Sequence, residues 1–227
     1  MADDDSPSDN LVFRKDADGN LEFAGEFEKL YETEADPWDQ LGGDSDMAGY
    51  YTHSRGRLMA TLRDLGAESV VEVGCGFGMV TEEIRGLSPV ERAVGMDISP
   101  TAVKKAAAKY PDCEFLSGDI MNFERPGDWQ DCDVVVINQA FWYILELFDQ
   151  ALDNSRSLLR DGGHLLIIQA FFRHGTQRYA KDTFNGFGGL VERVAQQGAD
   201  GFEFVSGQLW RDEDAHYDDG HVMLRRI

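Results

Sequence analysis

The run Glu72-Val73-Gly74-Cys75-Gly76-Phe77-Gly78 overlaps the end of the β-branched stretch Ser69 to Val73 and leads into an amphipathic one. A glycine-rich turn between a strand and a helix lets backbone amides approach a ligand closely. Its spacing departs from the Gly-x-Gly-x-x-Gly of dinucleotide sites: the third glycine comes one position early, and Met79 stands in its place. Asp97 follows Gly78 by nineteen residues and ends the next apolar run. An acid there can accept hydrogen bonds from both hydroxyls of a ribose. Gly118-Asp119-Ile120 follows a third run, and Asn138-Gln139 ends a fourth. These residue types suit a ligand that contains a nucleoside. Each has a plainer reading, since glycine turns are common and Asp97 or Asp119 can simply cap a helix. Four such elements in order, each at the C-terminal end of a strand, are harder to obtain by chance.

The elements that must position these residues follow from periodicity. Phe23, Phe27, Leu30 and Tyr31 recur at helical spacing, and a second helix is expected from Asp46 to Leu65. Short apolar strands then alternate with amphipathic helices. The strands are Ser69–Val73, Ala93–Met96, Glu114–Leu116, Val134–Ile137 and Leu165–Ile168. Ser99-Pro100 reads as an N-cap followed by an N1 proline, opening a helix through Tyr110. A helix from about Ile144 to Leu159 should stop at Gly162-Gly163, and another lies near Gly189 to Gln196. Phe202 to Trp210 and Val222 to Ile227 read as a closing antiparallel hairpin around a polar turn. The alternation implies an α/β doubly wound, mostly parallel sheet. Residues 1–20 read as a disordered acidic tail, 21–66 as helices over the site, and 67–227 as the ligand-binding domain.

The pattern Glu-x-Gly-x-Gly-x-Gly, with Asp97, Asp119 and the Asn138-Gln139 strand tip, resembles motif I and its companions in the class I S-adenosylmethionine-dependent methyltransferases. The resemblance spans roughly Ser69 to Gln169. It implies a Rossmann-like seven-stranded sheet and S-adenosyl-L-methionine as cofactor. The residues it implies for cofactor binding are Glu72, Gly74, Cys75, Gly76, Gly78, Asp97, Ile98, Asp119, Ile120 and Asn138, with Tyr51 and Arg55 from the preceding helix. It sets Asp119 against the adenine amino group and Asn138 beside the transferable methyl. Arg57 is a further contact of the same kind, although the arginines can equally be solvated and Tyr51 packed in the core. Gln139, Phe141, Trp142 and Tyr143 then border the acceptor, where the rings can stack on a ring or sugar face or serve as hydrophobic wall. His53 and His174 are the candidate catalytic bases, if the acceptor must lose a proton; for each alone, surface or packing histidine is the plainer reading. Asp36-Pro37-Trp38 and Tyr50-Tyr51 are similar to a segment of the nodulation-type sugar N-methyltransferases, which implies a small, saccharide-like acceptor methylated on N or O. Asn138-Gln139-Ala140-Phe141 lacks the prolines of the Asn-Pro-Pro-Tyr motif of enzymes that methylate DNA adenine or protein glutamine. Two alternatives compete: a nicotinamide-dependent oxidoreductase, and a non-catalytic S-adenosylmethionine-binding subunit.

Composition bounds the partners. The 227 residues include 42 acids against 21 lysines and arginines, a formal charge of −21, and only six of the bases are lysine. Such a surface repels phosphate backbones and anionic membranes, which argues against nucleic acid as substrate. Attraction to cationic substrates is one reading of the charge. The acids are spread along the whole chain, which favours a halophilic-type, salt-adapted surface instead. No stretch approaches the roughly 20 apolar residues of a membrane span, and the acidic N-terminus is unlike a secretory leader, so a cytoplasmic monomer or homodimer is expected. Cys75, Cys113 and Cys132 have no Cys-x-x-Cys spacing, so no disulfide framework, zinc or other metal site is indicated.

Overall fold

A computed structural model describes residues 11–15, 21–38, 40, 46–173, 177, 179–180, 184–195, 201–212 and 217–227. The described part begins with an antiparallel strand pair, β1 (Phe13–Lys15) and β2 (Leu21–Phe23), preceded by Leu11 and Val12 in helical conformation and followed by helices α1 (Phe27–Thr33) and α2 (Asp46–Leu65). Then come β3 (Ser69–Val73), α3 (Met79–Arg85), β4 (Arg92–Asp97), α4 (Pro100–Lys109), β5 (Glu114–Ser117) and β6 (Cys132–Asn138). The last part holds α5 (Phe148–Leu158), β7 (Leu159–Phe172), α6 (Gly186–Ala195), β8 (Phe202–Trp210) and β9 (Tyr217–Arg226).

Strands β3 to β9 form a seven-stranded sheet in the order β5-β4-β3-β6-β7-β9-β8. β5, β4, β3, β6 and β7 run parallel, and β9 returns antiparallel between β7 and β8. This is the expected doubly wound, Rossmann-like sheet with its antiparallel close. The chain winds outward from β3 to β5 and then crosses back to β6. The switch in strand order therefore lies between β3 and β6, where open α/β sheets form a ligand crevice.

The central strands are apolar throughout because both faces of the sheet are covered. Val134 and Val136 pack with Leu58 and Leu62 of α2 and Ile84 of α3. Val135 and Ile137 point the other way, toward Phe148 and Leu152 of α5 and Leu190 of α6. All four β6 side chains are essentially inaccessible to solvent. Ser99 caps α4 as its sequence suggests, its hydroxyl accepting from the Ala102 amide at 3.1 Å.

Several boundaries differ from expectation. Residues 11–15 are not tail: Phe13–Lys15 pair with Leu21–Phe23, and Val12 is buried beside them. Residues 1–10 and 16–20 lie outside the described part. Phe23 belongs to the strand pair and α1 starts only at Phe27, since Gly25 takes a left-handed conformation (φ +63°) between them. The helix expected from Ile144 begins at Phe148, after two 3₁₀ turns at Phe141–Tyr143 and Leu145–Leu147. There the Phe141 amide donates to the Gln169 side chain and the Trp142 indole to the Ala170 carbonyl, pinning the segment to β7. Gly162-Gly163 do not end a helix but sit inside β7, with Gly162 (φ +72°) next to the register shift between Cys132 and Val134. No helix among the described residues is long and apolar enough to cross a membrane.

Candidate active site

The C-terminal ends of β3, β4, β5 and β6 open into a cleft of about 430 Å³. Its floor is the β3–α3 turn. Gly74 and Gly76 both have positive φ (+77° and +53°), a conformation that side chains resist. A Cβ on Gly74 would stand 2.8 Å from that of Ala140, and one on Gly76 would stand 2.9 Å from the Tyr31 hydroxyl. The bare backbone is therefore required both by its dihedrals and by its neighbours.

Asp97, at the tip of β4, is 5% exposed and lines the cleft. One carboxylate oxygen accepts from the Gly76 amide at 2.8 Å and the other from the Ser99 amide at 2.9 Å. Burial pushes its pKa up, while those two amides pull it back. Asp119 follows β5, caps the 3₁₀ turn Ile120–Asn122 by accepting from the Met121 amide, and also lines the cleft. Capping thus coexists with a place in the cleft wall.

Most of the sequence-derived residues converge here: Tyr51, Gly74, Cys75, Gly76, Asp97 and Ile98, together with Asp119, Ile120 and Asn138. Gln139, Trp142 and Tyr143 form part of the same lining. Phe141 instead turns fully inward.

Five other described candidates do not reach the wall. Gly78 stands behind the turn at the start of α3, with φ +79°. Glu72 lies beneath the turn, where its carboxylate accepts from Thr81 at 2.6 Å and from the Asn138 amide at 3.0 Å. Burial raises its pKa from the ordinary 4.5 to about 7 against those hydrogen bonds. Its place is that of a brace for Asn138 and α3, because its carboxylate is held by Thr81 and Asn138 and is not part of the cleft lining. Arg55 pairs with Glu83 of α3 at 3.7 Å. His53 is exposed and faces Asp212 at 3.6 Å rather than the cleft. His174 lies outside the described residues. Arg57 is also drawn away, clamped at 2.9 Å by both Asp212 and Asp219.

The sequence reading missed a ring-rich wall and a buried polar network behind it. Phe13, Phe27, Trp38, Phe172, Tyr179 and Tyr217 join the lining from elements far apart in the chain. Behind them, Tyr50 donates to the Asp219 carboxylate at 3.1 Å and receives the Gln139 amide at 2.9 Å. Asp219 also receives Ser54 and Arg57 and lies 3.0 Å from the His221 ring nitrogen. Burial pulls the Asp219 pKa up, but bonds from His221, Arg57 and Ser54 hold it below the usual carboxylate value. Gln139 itself has φ +57°, unusual for a side-chain-bearing residue, and its oxygen accepts from the Ala170 amide at 3.0 Å. The clustering of rings at the N-terminus was the one signal of this wall in the sequence, and spacing alone could not attach it to the sheet.

Residues 71–165 match the family described as "Methyltransferase domain". Over those residues the chain is similar to methyltransferase domains, in line with the resemblance carried by its glycine turn. Among curated relatives, it is 35% identical to the trans-aconitate 2-methyltransferase of Klebsiella pneumoniae over 89 residues. That match spans 39% of this chain and only 34% of the relative. Among solved structures, the fold is similar to the N-methyltransferase NodS of Bradyrhizobium japonicum, which holds S-adenosyl-L-homocysteine. The TM-score is 0.66 at 19% identity, covering 88% of this chain and 95% of that one. It is also similar to the magnesium protoporphyrin IX methyltransferase of Synechocystis with bound S-adenosylmethionine. There the TM-score is 0.61 at 17% identity, over 88% and 95% of the two chains. At these identities the structural likeness speaks for the fold, and the matched segment places its glycine turn, Asp97 and Asp119 along one cleft.

Proposed function

We propose that this protein transfers a methyl group from S-adenosylmethionine to a nitrogen or oxygen of a small molecule. The observation that carries the reading is the charge of the cleft. Among the described lining residues, Asp97 and Asp119 are the charged side chains, and no lysine, arginine or histidine accompanies them. A nicotinamide dinucleotide would bring a pyrophosphate to a wall that offers carboxylates instead. An adenosyl sulfonium brings a ribose diol, an adenine amino group and a positive charge, all of which suit carboxylates.

When bound, the donor would supply a methyl group already activated by the sulfonium, for an acceptor lone pair to take while the C–S electrons stay on sulfur and the acceptor's proton goes to water. The chain's own part is to hold and orient. Asp97 would receive the ribose hydroxyls while keeping the Gly76 and Ser99 amides in place. Asp119 would receive the adenine amino group, with Ile98 and Ile120 against the ring. Asn138, braced by Glu72, and Gln139 would border the transferring carbon. Helices α1 and α2 would serve as a lid, since Tyr31 and Tyr51 reach over the turn. Holding two reactants in line supplies several kcal/mol of rate enhancement without a protein nucleophile.

The N-terminal likeness to sugar N-methyltransferases points to a saccharide-like acceptor. Such an acceptor needs side chains free to bond its hydroxyls, and the amides of Gln139 and Gln169 are turned inward.

Calorimetric titration with S-adenosyl-L-homocysteine and with NAD tests the donor. The homocysteine compound should bind and NAD should not, and the reverse result removes the reading. Metabolites that gain one methyl when enzyme and donor are added then report the acceptor.

A further inference from the structure

The strand-tip half of the cleft is accounted for by the donor. The other half is built from rings. Tyr143 stands at its centre, with the Phe23 ring stacked at 5.9 Å and 18°, Phe27 edge-on at 5.1 Å, and Trp38 at 5.9 Å. Phe13 lies 6.1 Å from Tyr143 and carries Tyr179 on its far side at 4.8 Å. Across the cleft, Phe172 packs against Tyr217 at 5.4 Å. These rings come from the β1–β2 pair, α1, the turn at Trp38, the turn after β6, the bend at Tyr179 and the β7–β9 pair. A wall assembled from so many separate elements is a shaped surface rather than one helix's apolar stripe.

Four polar side chains beside this wall are committed elsewhere. The Gln139 amide donates to Tyr50 and accepts from Ala170, and the Gln169 oxygen accepts from Phe141. The Trp142 indole donates to the Ala170 carbonyl and the Trp38 indole to the Tyr31 hydroxyl. Of the arginines on α2, Arg55 is paired with Glu83, and Arg57 with Asp212 and Asp219. Among the described residues of this half of the cleft, an acceptor meets mainly ring faces and edges, with the Tyr143, Tyr179 and Tyr217 hydroxyls and the Gln40 amide among them, inside a molecule whose net charge of −21 favours cations over anions.

We propose that the acceptor presents a flat aromatic ring, bearing a hydroxyl or amine, that stacks against Tyr143 in this wall. It is not a polycarboxylate, although the similar Klebsiella protein is named for trans-aconitate. The inference rests on the methyl-transfer reading for its donor half alone, because ring recognition is measured by binding.

The test uses the full chain saturated with S-adenosyl-L-homocysteine and titrated calorimetrically with catechol, tryptamine, glucosamine and trans-aconitate. Failure of the homocysteine compound to bind at the outset strikes the donor reading, and the four titrations are then run on the protein alone. Catechol or tryptamine should bind at least tenfold more tightly than glucosamine and trans-aconitate. Tyr143→Ala should weaken the ring probe about tenfold or more, whereas Tyr143→Phe, which keeps the ring, should stay within about threefold of the parent. Tighter binding of glucosamine or trans-aconitate overturns the proposal, as does no binding of either ring probe at millimolar concentration. An equal loss in Tyr143→Phe and Tyr143→Ala also overturns it, since the hydroxyl and not the ring face would then be the recognised feature.

Discussion

Asp97 does two things with one carboxylate. It lines the cleft, and it ties the Gly76 and Ser99 amides to the end of β4. Asp97→Ala should therefore weaken binding of S-adenosyl-L-homocysteine by roughly 1–3 kcal/mol in calorimetry, the cost of hydrogen bonds lost at a charged acceptor. Unchanged affinity would mean that the ribose is held elsewhere. Glu72 makes a different prediction. Its carboxylate takes up a proton more readily in the folded chain, because burial raises its pKa from 4.5 to about 7. Between those values the folded state binds more protons than the unfolded one, so this group's contribution to stability is full below pH 4.5 and is lost as pH rises through 7. Glu72→Gln keeps partners for Thr81 and Asn138 while abolishing the titration. Its stability relative to the parent should rise from pH 5 to pH 8 in denaturant titrations, and a flat difference would show that Glu72 is not proton-linked.

At the scale of elements, the glycine turn and the helix above it carry the consequences. Gly76→Val puts a branched side chain at φ +53°, where its Cβ meets the Tyr31 hydroxyl at 2.9 Å. Donor binding should fall below detection in the same calorimetric assay, and a fully binding variant would show that the turn does not cup the ligand. Helix α2 is joined to β6 and β9 by Tyr50, which is 1% exposed and bonded to both Asp219 and Gln139. Tyr50→Phe removes one hydroxyl and leaves both partners short of a bond, so chemical denaturation should show a loss of about 1–2 kcal/mol. A neutral result would mean that water replaces the hydroxyl and that α2 is held by its Leu58 and Leu62 packing alone.

Across the whole molecule the governing quantity is charge. With 42 acids against 21 lysines and arginines, the carboxylates repel one another at low salt. The screening length falls from about 10 Å at 0.1 M to about 3 Å at 1 M, so added salt relieves this repulsion. Tm should climb steadily as KCl is raised from about 0.1 M to about 2 M. A level or falling Tm would show that local pairs such as Arg92 with Glu114 and Arg160 with Asp133 already balance the surface.

The sheet was legible in the sequence because short-range physics decides it. Apolar runs with helices between them must pair in parallel, and glycines at 74, 76 and 78 can only mark a turn that side chains would block. The strand-tip half of the cleft followed, since its residues sit at the last position of a strand or within three positions after it. The tertiary structure alone decided which side chains face that cleft. Glu72 is two residues from Gly74 yet points beneath the turn, and Arg55 and Arg57 are captured by carboxylates distant in sequence. Likewise the ring wall joins Phe13 to Tyr179 and Phe23 to Tyr143, pairs more than a hundred residues apart. Contacts of that range depend on how finished elements pack together, and no local spacing encodes them.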